Sequence, residues 1–350
     1  MMMQKYSLDN HEQMQDWDRY VEAHPAGTPF HSAAWLRVIH ETYGFTPGLW
    51  VLIDGDGKIE ALFPFFIIRT LLRRPHIVSI PFSDYGGPLC SHEGAEKIML
   101  SEIIKRYGPQ CAYVELRAAG GIHTDFVRHD YYRRHTLNLK ASIAELQKII
   151  DKRTIQYSIH KAKRKGVIIV EDTSESAIDE FYQLNLLTRT KHGVPAQPRA
   201  FFKNLRRHVF DTKCGTILLA LLDKKVIGAS LILHDRKQLF FKFNVSDPDY
   251  NKIVSPSHLL MWAAIELGQK KKLTMLDLGR TSPDNKGLMR FKKDWGTADS
   301  SLVYSYYPQV RGAVATEENE WLYKTATTIW RFLPKTIIKT LGPRLYRYLA

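Results

Sequence analysis

Apolar and polar positions follow the same order twice along the chain. In each half, a helical pattern is followed by a second helix, two apolar runs joined by a polar turn, a strand, another helix and two more strands. Equivalent positions in the two halves are separated by roughly 165 residues, and the order of elements is kept throughout. The paired segments are Asp9–Ala23 with Ser174–Thr188, Ser32–Tyr43 with Pro198–Phe210, Leu49–Ile68 with Ile217–Leu233, His76–Phe82 with Gln238–Val245, Glu93–Tyr107 with Ser257–Gln269, Tyr113–Arg117 with Met275–Arg280, and His135–Leu139 with Ser301–Tyr306. The sequence therefore predicts one structural unit in two copies.

Each predicted unit combines antiparallel strands with a strand–helix–strand crossover. Such a crossover places one parallel pair in a mixed sheet covered by helices, so the expected fold class is α/β (α+β, mixed sheets). This order of elements resembles the GNAT acyltransferase fold, and the chain resembles two such domains in tandem. The expected boundaries are residues 1–140 for the first domain, 141–308 for the second, and 309–350 for a C-terminal helical tail.

The chain carries an excess of positive charge. Its 350 residues include 50 Lys and Arg against 36 Asp and Glu, a formal net charge of +14. This excess favours polyanionic partners such as nucleic acid, phosphorylated small molecules or an anionic membrane surface, without choosing among them. Cys90, Cys111 and Cys214 lie far apart, which argues against a disulfide framework and fits a reducing compartment. With no secretory or membrane-spanning pattern, we expect a cytoplasmic protein, with a peripheral position at the inner face of the membrane as an open alternative.

The densest group of chemically useful side chains lies between Gly279 and Gly296. A predicted strand ends here, and a polar turn leads into a basic and aromatic segment. Strand ends and the turns after them are where α/β sheets bind ligands, and cationic groups there can hold phosphates or neutralise an oxyanion. Alternatively, the segment is a solvated cationic loop anchored in the core by Phe291 and Trp295. Its cationic residues are Arg280, Lys286, Arg290, Lys292 and Lys293.

The same segment resembles a known family. Gly279-Arg280-Thr281-Ser282, Gly287-Leu288 and Phe291-Lys292-Lys293-Asp294-Trp295-Gly296 resemble the C-terminal signature of FemAB-like proteins. Thr188–Pro195, and Asn244 and Tyr250 with Ser257–Trp262, agree with it, and the similarity covers roughly residues 5–308. FemAB-like proteins are tandem-GNAT acyltransferases, typified by enzymes that add amino acids to peptidoglycan precursors. The branch most similar to this chain is found beside bacterial exopolysaccharide and protein-sorting clusters.

The resemblance implies acyl transfer to an amine without a covalent enzyme intermediate. A neutral amine attacks an ester or thioester carbonyl, so the site needs a proton acceptor and an oxyanion stabiliser. By resemblance, Lys292, with Phe291 beside it, holds the donor phosphate or the developing charge, and Arg280 is a second anchor. His192 is a candidate for proton relay or substrate contact, with an ordinary surface histidine as the alternative.

Further candidate residues would contact the substrates. Asn244 and Tyr250 lie where GNAT strands part, and Ser257 can cap the next helix or offer its amide to a phosphate; each can also simply close a turn. In the first copy, two glycines after a strand allow close approach of a ligand. The resemblance makes Asp84 and Tyr85, which precede those glycines, candidate acceptor contacts.

The acyl donor is open between two classes. GNAT proteins that use acyl-CoA carry a Gln/Arg-x-x-Gly-x-Gly/Ala turn whose amides hold the pyrophosphate at a helix N-terminus. The corresponding turn here, Tyr250–Ser257, lacks those glycines. Fem-type enzymes similarly lack them and take the acyl group from aminoacyl-tRNA. We therefore expect aminoacyl-tRNA or acyl-CoA as a donor substrate, and no tightly bound cofactor.

Two basic segments suggest further contacts. Residues 151–166 form a basic helical stretch that suits an RNA backbone or a diphosphate, unless it is a solvated face. The tail 321–350 contains basic and aromatic residues and no acid; it either lies in an anionic membrane interface or packs as a flap on the second domain. No DNA-reading motif is visible, and His123, His129 and His135 lack metal-ligand spacing, so we expect neither DNA nor metal.

The leading hypothesis from the sequence is a FemAB-like N-acyltransferase. It would transfer an aminoacyl or acyl group to an amine of a bacterial cell-envelope precursor such as a peptidoglycan peptide. One alternative keeps the fold but uses acyl-CoA in exopolysaccharide or amino-sugar biosynthesis. Another is an inactive GNAT pair that acts as a scaffold for RNA or membrane partners.

Overall fold

The computed structural model describes residues 1–69, 74–117, 125–308, 330 and 335–349, and these divide into two compact units. The first unit contains the described residues up to Tyr131 together with 301–308 and 347–349. The second contains Tyr132–Ser300 together with Trp330 and residues 335–346.

Strands and helices alternate along both units. The strands are β1 (Met2–Tyr6), β2 (Thr46–Ile53), β3 (Ile59–Ile68), β4 (His76–Val78), β5 (Leu89–Cys90), β6 (Val114–Arg117), β7 (Val127–Asn138), β8 (Ile168–Asp172), β9 (Gly215–Leu222), β10 (Lys225–His234), β11 (Gln238–Ser246), β12 (Met275–Thr281) and β13 (Ala298–Tyr307). The helices are α1 (His11–Ala23), α2 (Ala33–Tyr43), α3 (Glu93–Tyr107), α4 (Ile143–Ile149), α5 (Tyr157–Arg164), α6 (Glu175–His192), α7 (Arg199–Leu205), α8 (Pro248–Asn251), α9 (Pro256–Lys270), α10 (Lys286–Asp294) and α11 (Lys335–Tyr346). Single π-helical turns precede α5 at Lys152–Gln156 and follow α7 at Arg206–Phe210.

The sheet of the first unit runs in the order β1-β2-β3-β4-β6-β13. Its neighbours are antiparallel except β4 and β6, which are the parallel pair on either side of the crossover helix α3. The apolar face of α3, with Met99 and Ile103, packs on Phe63 and Phe65 of β3. This is the mixed α/β arrangement predicted for the first copy.

The sheet of the second unit repeats this plan in the order β7-β12-β11-β10-β9-β8. Here β11 and β12 are the parallel pair, and α9 is the crossover helix between them. Both α6 and α9 pack on β9, β10 and β11. Local signals fix α6: the Ser174 side chain accepts from the Ala177 amide at its start, and Gly193, with φ +71°, ends it in a left-handed conformation.

The structure confirms the duplication and the fold class. Each predicted helix and strand of the seven pairs is present, although β4 stops at Val78 and β7 begins earlier, at Val127. Elements outside the repeat pattern were missed, among them β1 and β8, which add an edge strand to each sheet. The basic segment, for which the sequence left a helix or a loop open, forms α10. The basic stretch 151–166 is the π-helical turn together with α5.

The two units differ from the expected boundaries at the last strand of each half. The part of β7 after Tyr131 belongs to the second unit, where it pairs with β12, and the part of β13 after Ser300 belongs to the first, where it pairs with β6. β12 has β7, from the N-terminal half of the chain, as its antiparallel neighbour, and β6 has β13, from the C-terminal half. Self-similarity along a sequence carries no information on such an exchange.

Trp330 and the C-terminal part of α11 pack on the rest of the second unit. The Gln197 side-chain amide donates to the Tyr346 hydroxyl at 2.9 Å, and Trp330 is buried. At Gly342 an added Cβ would stand 3.5 Å from Trp330 and 3.7 Å from the Ala196 nitrogen, so the helix lies directly on this loop. These contacts favour the flap interpretation; residues 309–329 and 331–334 lie outside the described part. None of the described helices is both long enough and apolar enough to cross a bilayer.

Candidate functional site

The parallel strands of the second unit separate part of the way along their length. β11 and β12 pair only from Gln238 opposite Met275 to Phe240 opposite Asp277. β11 continues to Ser246 paired with β10, and β12 continues to Thr281 paired with β7. The stretches beyond Phe240 and Asp277 are therefore not paired with each other, which opens the sheet at the end of the parallel pair.

A β-bulge shapes β12 where the strands part. Between the pairs Asp277–Thr136 and Arg280–Arg134, two residues of β12 stand opposite one residue of β7. Gly279 occupies the bulge with φ +69°, a left-handed conformation that suits glycine. The carboxylate of Asp277 accepts the Gly279 amide at 2.6 Å. The bulge turns the carbonyls of the strand end toward α10.

Lys292 lies against this bulge. It is buried, with 5% of its surface exposed, on α10, whose N-cap residue Asn285 accepts the Leu288 amide with its side chain. The Lys292 ammonium donates to the carbonyls of Gly279 at 3.0 Å and Arg280 at 3.2 Å. These contacts bring together two of the predicted catalytic residues, and Arg280 stacks its guanidinium on the Tyr132 ring at 4.6 Å.

His135 lies on β7 next to Lys292. Its Nδ1 is 3.4 Å from the Thr297 hydroxyl, which itself donates to the Lys292 carbonyl at 3.0 Å. Burial, and then the nearby Lys292 charge, lower the pKa of His135 to about 4. At neutral pH it is therefore an uncharged imidazole beside a fixed ammonium.

Three predicted substrate contacts lie on the β11 side of the opening between β11 and β12. Asn244 of β11 accepts from the Ser230 hydroxyl at 3.0 Å. Tyr250 lies in α8, with the Lys225 ammonium 4.6 Å from its ring centre. Ser257 is in the first turn of α9, directly after Pro256. These residues follow one another along β11, α8 and α9, and their role as substrate contacts stays a prediction.

The turn before α9 is stabilised by its own backbone. The Ile253 and Val254 amides donate to the Tyr250 carbonyl at 3.0 and 2.9 Å. Ser255 has φ +45° and offers no side-chain cap, and Pro256 has no amide hydrogen. The turn therefore keeps the N-terminal end of α9 in place without the glycines of a CoA-type loop.

Phe291 belongs to an aromatic cluster behind the bulge. Its ring lies 5.5 Å from the His258 ring of α9 and 6.5 Å from Trp295, which is fully buried. Burial also lowers the pKa of His258. The cluster joins α9 to α10 and so holds Lys292 against the end of β12.

Asp84 and Tyr85 lie in the first unit, in a loop that folds back on β6. The Asp84 carbonyl accepts from the Tyr304 hydroxyl at 2.6 Å, and buried Tyr85 makes an edge contact with Phe30 at 6.1 Å. The loop is bonded to β6 by the Gly86 amide, which donates to the Arg117 carbonyl. Both residues are thus held in place by contacts within the first unit.

His192 is the last residue of α6, just before the Gly193 cap, and its side chain is exposed.

Asp277, Arg134 and His135 were not singled out for this region, although an acid in the apolar strand Met275–Leu278 is a recognisable signal. Among the described residues, no three His, Cys, Asp or Glu side chains are grouped as they would be to hold a metal ion.

Comparison with known proteins agrees with this geometry. Residues 151–293 match the family model of the acetyltransferase (GNAT) domain. Among solved structures, FemX has a TM-score of 0.67 at 13% identity, covering 93% of this chain and all of that one. The C-terminal domain of a putative lysylphosphatidylglycerol synthetase from Agrobacterium fabrum gives 0.60 at 11% identity, covering 91% and 96%. A tandem GNAT protein from the clavulanic acid pathway gives 0.56 at 10% identity, covering 87% and 97%. No curated protein matches the chain.

These likenesses to solved structures establish the fold, and the family match locates the acyltransferase domain. The matched segment contains the parting strands, α9 and most of α10, including Lys292. The resemblance to FemAB-like tandem-GNAT proteins is thus confirmed in its fold and in the GNAT domain. The chain therefore has the tandem GNAT fold, and its second unit contains an acyltransferase domain of the GNAT type at residues 151–293.

Proposed function

We propose that the second unit transfers an acyl group from an activated donor to the amine of a cell-envelope precursor. A carbon–nitrogen bond to the amine forms, the ester or thioester bond of the donor breaks, and the proton lost by the amine ends on the leaving group or on solvent. The observation that carries this proposal is the Lys292 ammonium, fixed by two carbonyls at the point where β11 and β12 part.

A fixed positive charge at this point suits the reaction. The tetrahedral intermediate bears a negative oxygen, and a donor that is already oriented stabilises it without reorganisation. Lys292 is held by the Gly279 and Arg280 carbonyls and is shielded from water, so its charge is little screened. Loss of such a group typically lowers kcat about 10²–10³-fold.

The donor lies, in this proposal, along β11 with its phosphate-bearing end toward α9. A CoA thioester is the donor type that GNAT domains favour, and the family match includes β11, α8 and α9. The Ser257 amide and the start of α9 are then the contacts for a phosphate. Here the amides of Ile253 and Val254 are already used by the turn, so fewer backbone donors remain for a pyrophosphate than in a glycine-rich loop.

Aminoacyl-tRNA is the second donor candidate because of the basic helix beside this turn. Lys161 of α5 donates to the Lys252 carbonyl at 3.4 Å, so α5 borders the turn. The exposed cations of α5 and the preceding π-helical turn include Lys152, Arg153, Lys163 and Arg164. A row of such side chains suits a phosphate backbone that extends beyond the donor site.

The acceptor side rests on the resemblance to FemAB-like proteins. Their acceptors are amines of peptidoglycan precursors, and a lysylphosphatidylglycerol synthetase domain shares the fold. We propose an amine-bearing envelope precursor as the acceptor, used at the cytoplasmic side of the membrane, with Asp84 and Tyr85 as candidate acceptor contacts and His192 as a candidate proton relay or substrate contact. An amino sugar of an exopolysaccharide is the alternative acceptor.

The test compares binding and transfer in matched lysine variants. Purified protein is titrated with acetyl-CoA and separately with aminoacyl-tRNA at 150 mM salt, and transfer to peptidoglycan-precursor peptides and amino sugars is followed by mass spectrometry. In Lys292→Met, kcat should fall about 10²–10³-fold. In Lys270→Met, which removes an exposed charge at the C-terminal end of α9, kcat should be unchanged. Full transfer by Lys292→Met would remove the catalytic assignment, and binding of neither donor would favour the scaffold alternative.

A further inference from the structure

Asp277 is a buried carboxylate with two different partners. Only 1% of it is exposed, and it lies in the last pair of β12 before the bulge. One oxygen accepts the Gly279 amide at 2.6 Å, and the other accepts Arg134 through Nε at 2.8 Å and Nη2 at 2.7 Å. Arg134 also donates to the Gln238 side chain at 3.1 Å. The carboxylate is thus held from both sides.

These bonds lead directly to Lys292. Gly279 needs its left-handed conformation for the bulge to form, and the Asp277 carboxylate holds the Gly279 amide in that conformation. The same bulge directs the carbonyls of Gly279 and Arg280 at the Lys292 ammonium. A chain of charge-assisted hydrogen bonds therefore runs from Arg134 through Asp277 and the bulge to the lysine.

A buried ion pair is weak evidence of a role in stability, because apolar residues of similar volume are often at least as stabilising in a core. Here the pair lies next to the one bulge in the β12–β7 pairing, across from His135. Its geometry fixes the backbone atoms that hold the Lys292 charge.

We propose that Asp277 and Arg134 are positioning residues that set the place of the Lys292 ammonium at the end of β12. They act through the bulge and touch neither substrate. Their importance for catalysis rests on the proposed function, but the positioning of Lys292 does not.

The first test measures the reactivity of Lys292 itself. Intact protein is treated with limiting isotopically labelled acetic anhydride, and the labelling rate of Lys292 is determined by peptide mass spectrometry against the exposed Lys270. Asp277→Ala should raise the rate roughly tenfold, the equivalent of one charge-assisted hydrogen bond. Gly279→Ala, which disturbs the bulge without touching either charge, should raise it in the same direction.

The matched control is the buried ion pair of the first unit. Glu115 and Arg117 are bonded at 2.6 Å and are both buried, so Glu115→Gln disturbs another buried ion pair. It should leave Lys292 labelling unchanged, which separates local positioning from general loss of stability. The proposal would be overturned if the labelling rate of Lys292 were unchanged in both folded Asp277→Ala and folded Gly279→Ala. It would also be overturned if Glu115→Gln raised that rate as much as Asp277→Ala does.

Steady-state kinetics of the Asp277 variants distinguish this proposal from the proposed function. Asp277→Asn keeps an acceptor for the Gly279 amide but weakens the contact with Arg134, so labelling and kcat should change less than in Asp277→Ala, with KM nearly constant. If Lys292→Met abolishes transfer while the Asp277 variants leave labelling unchanged, the function stands and the positioning role fails. If labelling rises while Lys292→Met transfers normally, the positioning role stands and the catalytic one fails.

Discussion

The buried His31 makes the first unit sensitive to acid. Its ring is 2% exposed, with Nδ1 2.8 Å from the Thr28 hydroxyl and Nε2 3.1 Å from the Gly87 carbonyl. Because a carbonyl only accepts, Nε2 carries the hydrogen and Nδ1 accepts from Thr28. Both ring nitrogens are thus satisfied in the neutral form. Burial lowers the pKa of His31 from 6.5 to about 4.

The sign of the effect follows from proton uptake. Between about pH 6.5 and pH 4, the unfolded chain binds a proton at His31 and the folded chain does not, so the free energy of unfolding falls as the pH is lowered. The lowered pKa corresponds to a total loss of about 3 kcal/mol, since each pKa unit is worth about 1.4 kcal/mol. About 2 kcal/mol of this is lost by pH 5. Above pH 6.5 the contribution is fully present.

The measurement needs a reporter in the same unit. The Trp17 indole donates to the His31 carbonyl at 2.8 Å, so its N–H signal in NMR, followed through urea unfolding, reports on this region. Wild-type protein should lose about 2 kcal/mol more than His31→Gln between pH 7 and pH 5. His11→Gln, which removes an exposed histidine of the same unit, should behave as wild type. Equal pH dependence in His31→Gln and wild type would refute the reasoning.

The remaining predictions concern α9 and the tail. Gly228→Val should weaken donor binding roughly tenfold in a titration, because even a Cβ there would lie 3.0 Å from the proline that begins α9, and overpacking displaces that helix end; unchanged binding would contradict the placement of the donor. Tyr346→Phe should lower the free energy of unfolding of the second unit by about 1–2 kcal/mol in urea titrations, since the buried Gln197 amide loses its acceptor; an unchanged midpoint would show that water replaces it. Leu341→Glu with Leu345→Glu, two exposed apolar positions one turn apart on α11, should leave flotation with anionic vesicles unchanged because α11 packs on the second unit, and reduced flotation would show that this face contacts the membrane.

The sequence predicted the elements whose pattern is long and regular. The helices and hairpins of both copies have apolar faces of several residues, and these were found with small errors at their ends. The edge strand β8 was missed because Ile168 and Val170 are exposed and the strand ends in two acidic residues, so no buried face is visible. The exchange of the last strands depends on pairing between distant segments, which no local pattern encodes.

The candidate site was predictable only in part. The motif around Lys292 was found from its charges and by resemblance, but the sequence did not show that this lysine is buried and bonded to backbone carbonyls. Its supports are harder still to predict: Arg134 and Asp277 are 143 positions apart and meet only because β7 joins the second sheet. The acid in an apolar strand was the one available signal.

The two copies show how one duplicated plan gives two different strand ends. In the first unit, the Arg117 amide donates to the Ser79 hydroxyl and the Gly86 amide donates to the Arg117 carbonyl, so the loop after β4 closes onto the end of β6. In the second unit, the equivalent strand end carries a bulge and presents its carbonyls to Lys292. A strand end closed by its own loop leaves little room for a donor, whereas one that holds a buried cation offers both an opening and a charge. The acyl donor is therefore expected at the second unit, and labelling the protein with a photoreactive acyl-CoA should modify the matched segment 151–293 in preference to the first unit.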